Sequence, residues 1–287
     1  MTLTKTAAAA THAAMRVAAR LGLACAEPEV LADGANVIVH LRPGPVVAKV
    51  AASTVEVRPD PGAWLQRDLD LARWLHGAAI PVAGPSPEVP ATVHHGDGHV
   101  MSFWRFVPPA GDHWPDEGLF GSMLRDLHLA LRSYPETPPP PLAPLQDIPA
   151  FLRRPQTQLT AEGKAALAAA CRRLTAELDP HAATQVLHGD AGIGNVMPTV
   201  AGGWLWHDFE DTCTGPVAWD LAASTASRRL DPARILAGYG APVDAGQLAV
   251  CEQLRRLHLT VWYSLYAERL PGLRPRAAEL LAEWPRA

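Results

Sequence analysis

Val186-Leu-His188-Gly189-Asp190-Ala-Gly-Ile-Gly-Asn195-Val-Met, followed by Trp204-Leu-Trp-His-Asp208-Phe209-Glu210-Asp211, decides how this chain is read. Between the two pieces lies Ala201-Gly202-Gly203, flanked by short apolar runs, and the pattern predicts a strand, a Gly-rich turn and a second strand. Asn195 then opens the first strand and Asp208 falls just past the second, so the turn brings an amide and a carboxylate back toward one another. Gly-Asp and Gly-Asn pairs taken singly are ordinary turn sequences. Taken in order, they supply an acid able to accept a hydroxyl proton, then an amide oxygen and a carboxylate able to share a magnesium ion. Phosphoryl transfer asks little more of a protein than these and a grip on the nucleotide.

The stretch resembles the aminoglycoside phosphotransferase family, a branch of the kinase-like fold. His188-Gly189-Asp190 and Asn195 match its catalytic loop and Asp208-Phe209-Glu210 its metal-binding motif, while Gly215-Pro216-Val-Ala-Trp219-Asp220-Leu221-Ala222 is similar to the stretch that follows. Gly192 and Ile193 stand where many relatives carry His and Pro, and Pro216 follows Gly215 without the Asp that often intervenes. The resemblance implies an α+β, bilobal protein-kinase-like fold: a small antiparallel-sheet lobe and a larger, mainly helical one. It implies an N-terminal nucleotide-binding lobe over residues 1–106 and a C-terminal catalytic and substrate-binding lobe over 107–287. It also implies an ATP- (or GTP-) and Mg2+-dependent enzyme that phosphorylates a hydroxyl of a small molecule, an antibiotic or a related natural product or metabolite. In that reading Asp190 positions or deprotonates the acceptor hydroxyl, Asn195 and Asp208 hold the metal, and His188 and Asp220 brace the loop.

Whole-chain properties set wider limits. At 287 residues two lobes are expected, and a net charge of −4 gives no reason to expect a nucleic-acid partner. Cys25, Cys171, Cys213 and Cys251 form no Cys-x-x-Cys pair, so neither a zinc site nor a disulfide framework is signalled and reduced cytoplasmic thiols are expected. No run approaches the roughly 20 apolar residues of a membrane span. Lys5 and Ala7–Ala10 open like a signal peptide, but Thr11, His12, Arg16 and Arg20 interrupt them, so the reading is a helix in a soluble monomer or homodimer.

The first lobe reads as a helix over Ala13–Leu23, then strands at Val30-Leu31, Val37–Leu41 and Val46–Val50. Lys49 in the last of these needs an anionic partner. In the kinase-like fold that position reaches the nucleotide phosphates and pairs with an acid on the next helix. Asp68 on the helix Trp64–His76 is the candidate, where relatives usually carry the longer Glu, with Asp70 second. Asp33-Gly34-Ala35-Asn36 is no Gly-x-Gly-x-x-Gly but resembles the family's Gly-x-x-Asn loop, which assigns Gly34 and Asn36 to the phosphates. Val37 and Ala48 are expected to cover the adenine faces, and the stretch containing Phe103, Trp104 and Phe106 to offer it backbone groups as a hinge. A hairpin of Ala91–Val93 with His99–Val107 encloses His94 and His95, read as incidental turn histidines and not as metal ligands.

The second lobe reads as helices over Leu119–Tyr134, Ile148–Arg153 and Ala161–Leu178, with a stiff proline run at Pro138–Pro141 and His128 as a packed core histidine. Further helices follow at Leu221–Arg229, Pro232–Tyr239, Asp244–Leu270 and Arg274–Trp284. From Leu221 onward, six acids face nine arginines, with Trp262, Tyr263, Tyr266 and Trp284 interleaved. That balance argues for a neutral, weakly cationic or anionic acceptor over a polycation. The alternative to an enzyme is a nucleotide-binding pseudokinase scaffold, supported by Asp68 in place of Glu and by the missing glycine fingerprint.

Overall fold

The structure is a computed structural model describing residues 3–111, 113–135, 139–155, 157, 159–227 and 229–284; Pro138 of the proline run, Arg228 and Arg286 lie outside them. In chain order the elements are α1 Lys5–Arg20, β1 Cys25–Asp33, β2 Asn36–Pro43, β3 Val46–Ala51, α2 Pro61–Gly77, β4 His94–Gly96, β5 His99–Arg105, α3 Glu117–Leu131, α4 Asp147–Arg153 and α5 Ala161–Ala176. They continue as β6 Gln185–Leu187, β7 Val196–Pro198, β8 Trp204–Trp206, β9 Cys213–Gly215, α6 Val217–Thr225, α7 Pro232–Tyr239, α8 Ala245–Arg269 and α9 Arg274–Ala282. Two compact units result, residues 1–113 with 196–210, and residues 114–195 with 211–287. The hairpin β7–β8 therefore belongs to the first unit, whereas a cut at residue 106 assigned it to the second.

The first unit is an antiparallel sheet in the order β1-β2-β3-β5-β4. Strand alternation gives it a dry face: Val37, Val39 and Leu41 of β2, Val46, Ala48 and Val50 of β3, and Met101 and Phe103 of β5 are buried with Ala7, Ala10, Ala14 and Val17 of α1. Small alanines let α1 lie close, and Thr4 caps it by accepting the Ala7 N–H at 3.0 Å. The helix begins at Lys5 rather than Ala13 because the Ala7–Ala10 run belongs to this packing. The histidine hairpin turns more tightly than expected, on Asp97-Gly98, with His94–Gly96 as its first strand.

In the second unit α3 and α7 touch through glycine. A Cβ on Gly121 would stand 2.1 Å from the Ile235 carbonyl oxygen, and one on Gly238 would stand 2.0 Å from that of Gly118. β6 and β9 form a two-stranded ribbon that presents the turn after Leu187, and α6 and α8 pack beside one another. No helix among the described residues is long and apolar enough to cross a membrane.

Candidate active site

Because Ala48 and Val50 point at α1, Lys49 must point to the other face of the sheet. There its buried ammonium lies 2.7 Å from Asp68 Oδ2, 2.5 Å from Asp208 Oδ1 and 3.0 Å from Glu210 Oε2. Asp70, the second candidate partner, is elsewhere, 2.6 Å from Arg73. Asp68 is fully buried on α2, and its other oxygen accepts the Phe209 N–H at 2.9 Å, so one short carboxylate ties sheet, helix and metal-motif loop together. Asp208 stands just past β8 with φ +67°, a left-handed conformation uncommon for a residue with a Cβ, and is the one carboxylate of the three that is partly exposed.

The electrostatics follow from crowding. Burial alone would lower the Lys49 pKa, but Asp208, Asp68 and Glu210 outweigh it and hold the ammonium well above its ordinary range. Asp68 is pushed up to about 7, first by burial and further by Asp208 and Glu210, against the opposing pull of Lys49. The oxygens of Asp68, Asp208 and Glu210 converge within 4.8 Å of one another, with the lysine as their shared counter-charge. Glu210 is further occupied: Arg58 Nη1 donates to Oε1 at 3.1 Å and Asn36 Nδ2 to Oε2 at 2.7 Å. Sequence reading missed Arg58, which lies just past a short 3-10 turn with no periodic signal and stacks 3.7 Å over Trp64.

Several expected nucleotide contacts are corrected. Asn36 spends its amide on Glu210 and takes the Thr54 hydroxyl at 3.3 Å on Oδ1, making it a strut between loops. Among the described residues other than its chain neighbours, none has an atom within 4 Å of where a Cβ on Gly34 would stand. Val37 and Ala48 are buried against α1, on the face away from Lys49; Phe103 shares that face, and its backbone carbonyl accepts the Ser86 N–H at 3.0 Å. The reason is the period of two: a residue next to Lys49 in sequence cannot share its side of a strand. Register instead places Ile38 and Ser102 beside Lys49, and Val47 opposite Trp104, whose Nε1 donates to Ser102 Oγ at 2.8 Å. Phe106 stacks on His40 at 3.7 Å, and its N–H is already donated to the Pro45 carbonyl at 2.8 Å.

In the second unit the turn His188–Asn195 is anchored from behind by Asp220 of α6. Asp220 Oδ2 accepts the His188 N–H at 2.8 Å, and Oδ1 accepts the Gly189 N–H at 2.9 Å. Burial alone would raise the Asp220 pKa, but the His128 hydrogen bond and the charges of His128, His188 and Arg255 bring it below its ordinary range. His128 of α3 is more than a packing residue: Nε2 donates to Asp220 Oδ2 at 3.0 Å, while Nδ1 lies 2.9 Å from the Tyr239 hydroxyl of α7. Gly189 has φ +88°, and a Cβ there would fall 1.7 Å from the Asp211 carbonyl oxygen, so only glycine fits the turn.

This frame presents Asp190 with its side chain 46% exposed. Asn195 Nδ2 donates to the Asp190 carbonyl at 2.7 Å and to Oδ2 at 3.1 Å, an orientation that directs the Asn195 amide oxygen away from Asp190. Arg255 of α8, not singled out by sequence, holds the other side: Nη2 donates to Asp190 Oδ1 and Nη1 to the Gly189 carbonyl at 2.8 Å. The signal was present in its spacing, since Cys251, His258 and Trp262 on the same stripe are buried and an arginine among them demands a partner. Two other C-terminal arginines are matched within this region, Arg276 with Glu279 at 2.8 Å and Arg256 with Glu283, whereas Glu268 pairs with Arg154, just past α4, at 3.0 Å.

The model of the phosphotransferase enzyme family matches residues 32–252 of the chain. No curated protein sequence matches it. Among solved structures it is similar to an aminoglycoside-3'-phosphotransferase of type VIII, at 17% identity and TM-score 0.65, covering 87% of this chain and 99% of that one. It is similar to the amicoumacin kinase hAmiN in complex with AMP-PNP, Ca2+ and Ami, at 13% identity and TM-score 0.65, covering 95% and 94%. The choline kinase LicA from Streptococcus pneumoniae shares 13% identity at TM-score 0.62, over 95% of this chain and 99% of that one. At these identities the likeness is one of fold.

Proposed function

The chain belongs to the phosphotransferase enzyme family, and on that premise we propose that it is an ATP- and magnesium-dependent kinase acting on a hydroxyl of a small molecule in the cytoplasm. The observation that carries the reading is Asp190: a half-exposed carboxylate fixed by Asn195 and Arg255 on a turn that only glycine can make. A carboxylate offers about four lone-pair sites, and the half-exposed side of this one is open to an acceptor hydroxyl.

In this reading the acceptor oxygen attacks the γ-phosphorus, its proton passes to Asp190, and the bridging P–O bond breaks to release ADP. Lys49 grips the α- and β-phosphates in exchange for its present contact with Asp208, while Asp68 keeps the ammonium oriented. The partly exposed carboxylate of Asp208 and the amide oxygen of Asn195 are hard oxygen donors of the kind magnesium takes. When bound, magnesium neutralises charge on the triphosphate. The nucleotide base belongs on the Lys49 face of the sheet, against Ile38, Val47 and Trp104. GTP uses the same groups and is the alternative donor. The amicoumacin kinase complex, which holds a nucleotide analogue and a divalent cation, supports this assignment by analogy of fold.

The acceptor is a neutral, weakly cationic or anionic hydroxylated compound such as a natural-product antibiotic. The guanidinium beside Asp190 supports this more directly than the arginine count, because a cation next to the reacting hydroxyl would meet Arg255. Turnover of a macrolide-like, a choline-like and a kanamycin-like acceptor at low and moderate salt tests it. Efficient use of the polycation, falling steeply as salt rises, would overturn the acceptor class. ATP turnover absent with every hydroxylated compound, despite nucleotide binding, would instead favour the scaffold reading.

A further inference from the structure

Arg255 stands 65 residues from Asp190 in sequence and donates to it across the second unit. Its side chain is only 9% exposed, and its Cζ lies 4.8 Å from the centre of the Trp219 ring. A guanidinium stays charged at any physiological pH and is held here by a fixed geometry: one nitrogen on the Gly189 carbonyl, another on the Asp190 carboxylate, the plane against an indole. Trp219 joins the same frame, since its Nε1 donates to the Gly189 carbonyl at 2.8 Å. One backbone oxygen thus receives both the indole and the guanidinium, and the carboxylate that follows it receives the second guanidinium nitrogen.

We propose that Arg255 is a positioning residue for the acceptor-side carboxylate, fixing the Asp190 rotamer by bridging Oδ1 and the Gly189 carbonyl. The inference rests on the phosphotransferase reading for its kinetic part and on geometry alone for the placement of the carboxylate. The His188 ring receives the Asp190 N–H at 3.3 Å, Asp220 and His128 lie behind the backbone of 188 and 189, and Asp211 presents its carbonyl to Gly189. Among the ion pairs described, Arg255 is the cation that reaches the Asp190 carboxylate.

The test uses the full chain, wild type, Arg255→Gln and Arg255→Lys, with the Asp190 carboxylate followed by 13C NMR at one fixed pH and assigned by its loss in Asp190→Asn. In Arg255→Gln the Asp190 signal is expected to shift or broaden as the side chain is released, and kcat to fall about tenfold or more with nucleotide KM within about twofold. Arg255→Lys keeps the charge but not the fork, so it should recover only part of kcat. An unmoved Asp190 signal in Arg255→Gln, or a kcat within about twofold of wild type, would overturn the proposal. A wild-type chain inactive on every acceptor, with the Asp190 signal still displaced in Arg255→Gln, would remove the kinase reading and leave the assignment of Arg255 standing.

Discussion

Lys49 and Asp68 meet at 2.7 Å inside the first unit, with the carboxylate one methylene shorter than the acid usual at this place in relatives. The shorter side chain reaches because α2 lies close enough for the other Asp68 oxygen to hold the Phe209 N–H as well. Asp68→Glu, although it restores the commoner acid, is therefore expected to destabilise by about 1–3 kcal/mol through overpacking of a fully buried position. Urea denaturation measures it. A variant as stable as wild type would show that the helix can retreat.

Asp190→Asn and Asp190→Ala are expected to part company. Both should lose at least about 100-fold in kcat with nucleotide affinity kept within a few fold, since the proton acceptor is gone from each. Only Ala strands the buried Arg255 guanidinium, costing a further amount of about 1–3 kcal/mol in stability, because the Asn amide oxygen still accepts from it. Thermal melts beside single-turnover rates check both halves. A variant retaining most of the wild-type kcat would remove Asp190 from the chemistry.

Asp208 and Glu210 are expected to fail differently. Asp208→Asn should weaken magnesium-dependent nucleotide binding along with turnover, since it removes charge from the partly exposed carboxylate. Glu210→Gln removes the charge shared by Lys49 and Arg58 and should lower stability first. Calorimetry with Mg-ATP and with ATP in EDTA, alongside melts, separates the two. Equal loss of magnesium dependence in both would place the ion on Glu210 as well.

The pH dependence of stability carries opposite signs in the two units. Asp68 is raised to about 7 in the folded chain from an unfolded value of about 4. Its contribution is thus complete below that unfolded value and lost as pH climbs through about 7. Asp220, held below its ordinary range, contributes above the unfolded value and loses that contribution as pH falls through its folded pKa. Relative to Asp68→Asn, the wild type should therefore lose stability steadily from pH 4 to pH 7. A flat difference over that window would contradict the assignment.

What could be read along the sequence was whatever repeats or follows in order. The strands around Lys49, the α2 helix and the 201–203 hairpin were legible because period and turn residues are local signals. The misplacement of Val37 and Ala48 came from neglecting alternation at one step: with Lys49 on one face, Ala48 had to lie on the other. The roles of Arg255, Arg58 and Tyr239 went unread for another reason. Each acquires its role from a partner at least 65 residues away: the buried stripe of α8 marks Arg255 as needing a partner, but nothing local says which carboxylate it will find.

The glycine contacts of α3 and α7 reach further than packing. Gly121 lies seven residues, two turns, before His128 on α3, and Gly238 immediately precedes Tyr239 on α7, so the backbone crossing sets the line Tyr239–His128–Asp220. In a genetic screen for lost function both glycines should score as null positions beside Asp190, though neither carries a functional group. Amide exchange at His188 and Gly189, whose N–H groups end that line on Asp220, would tell the two kinds of allele apart: fast in the glycine variants, still slow in Asp190→Asn.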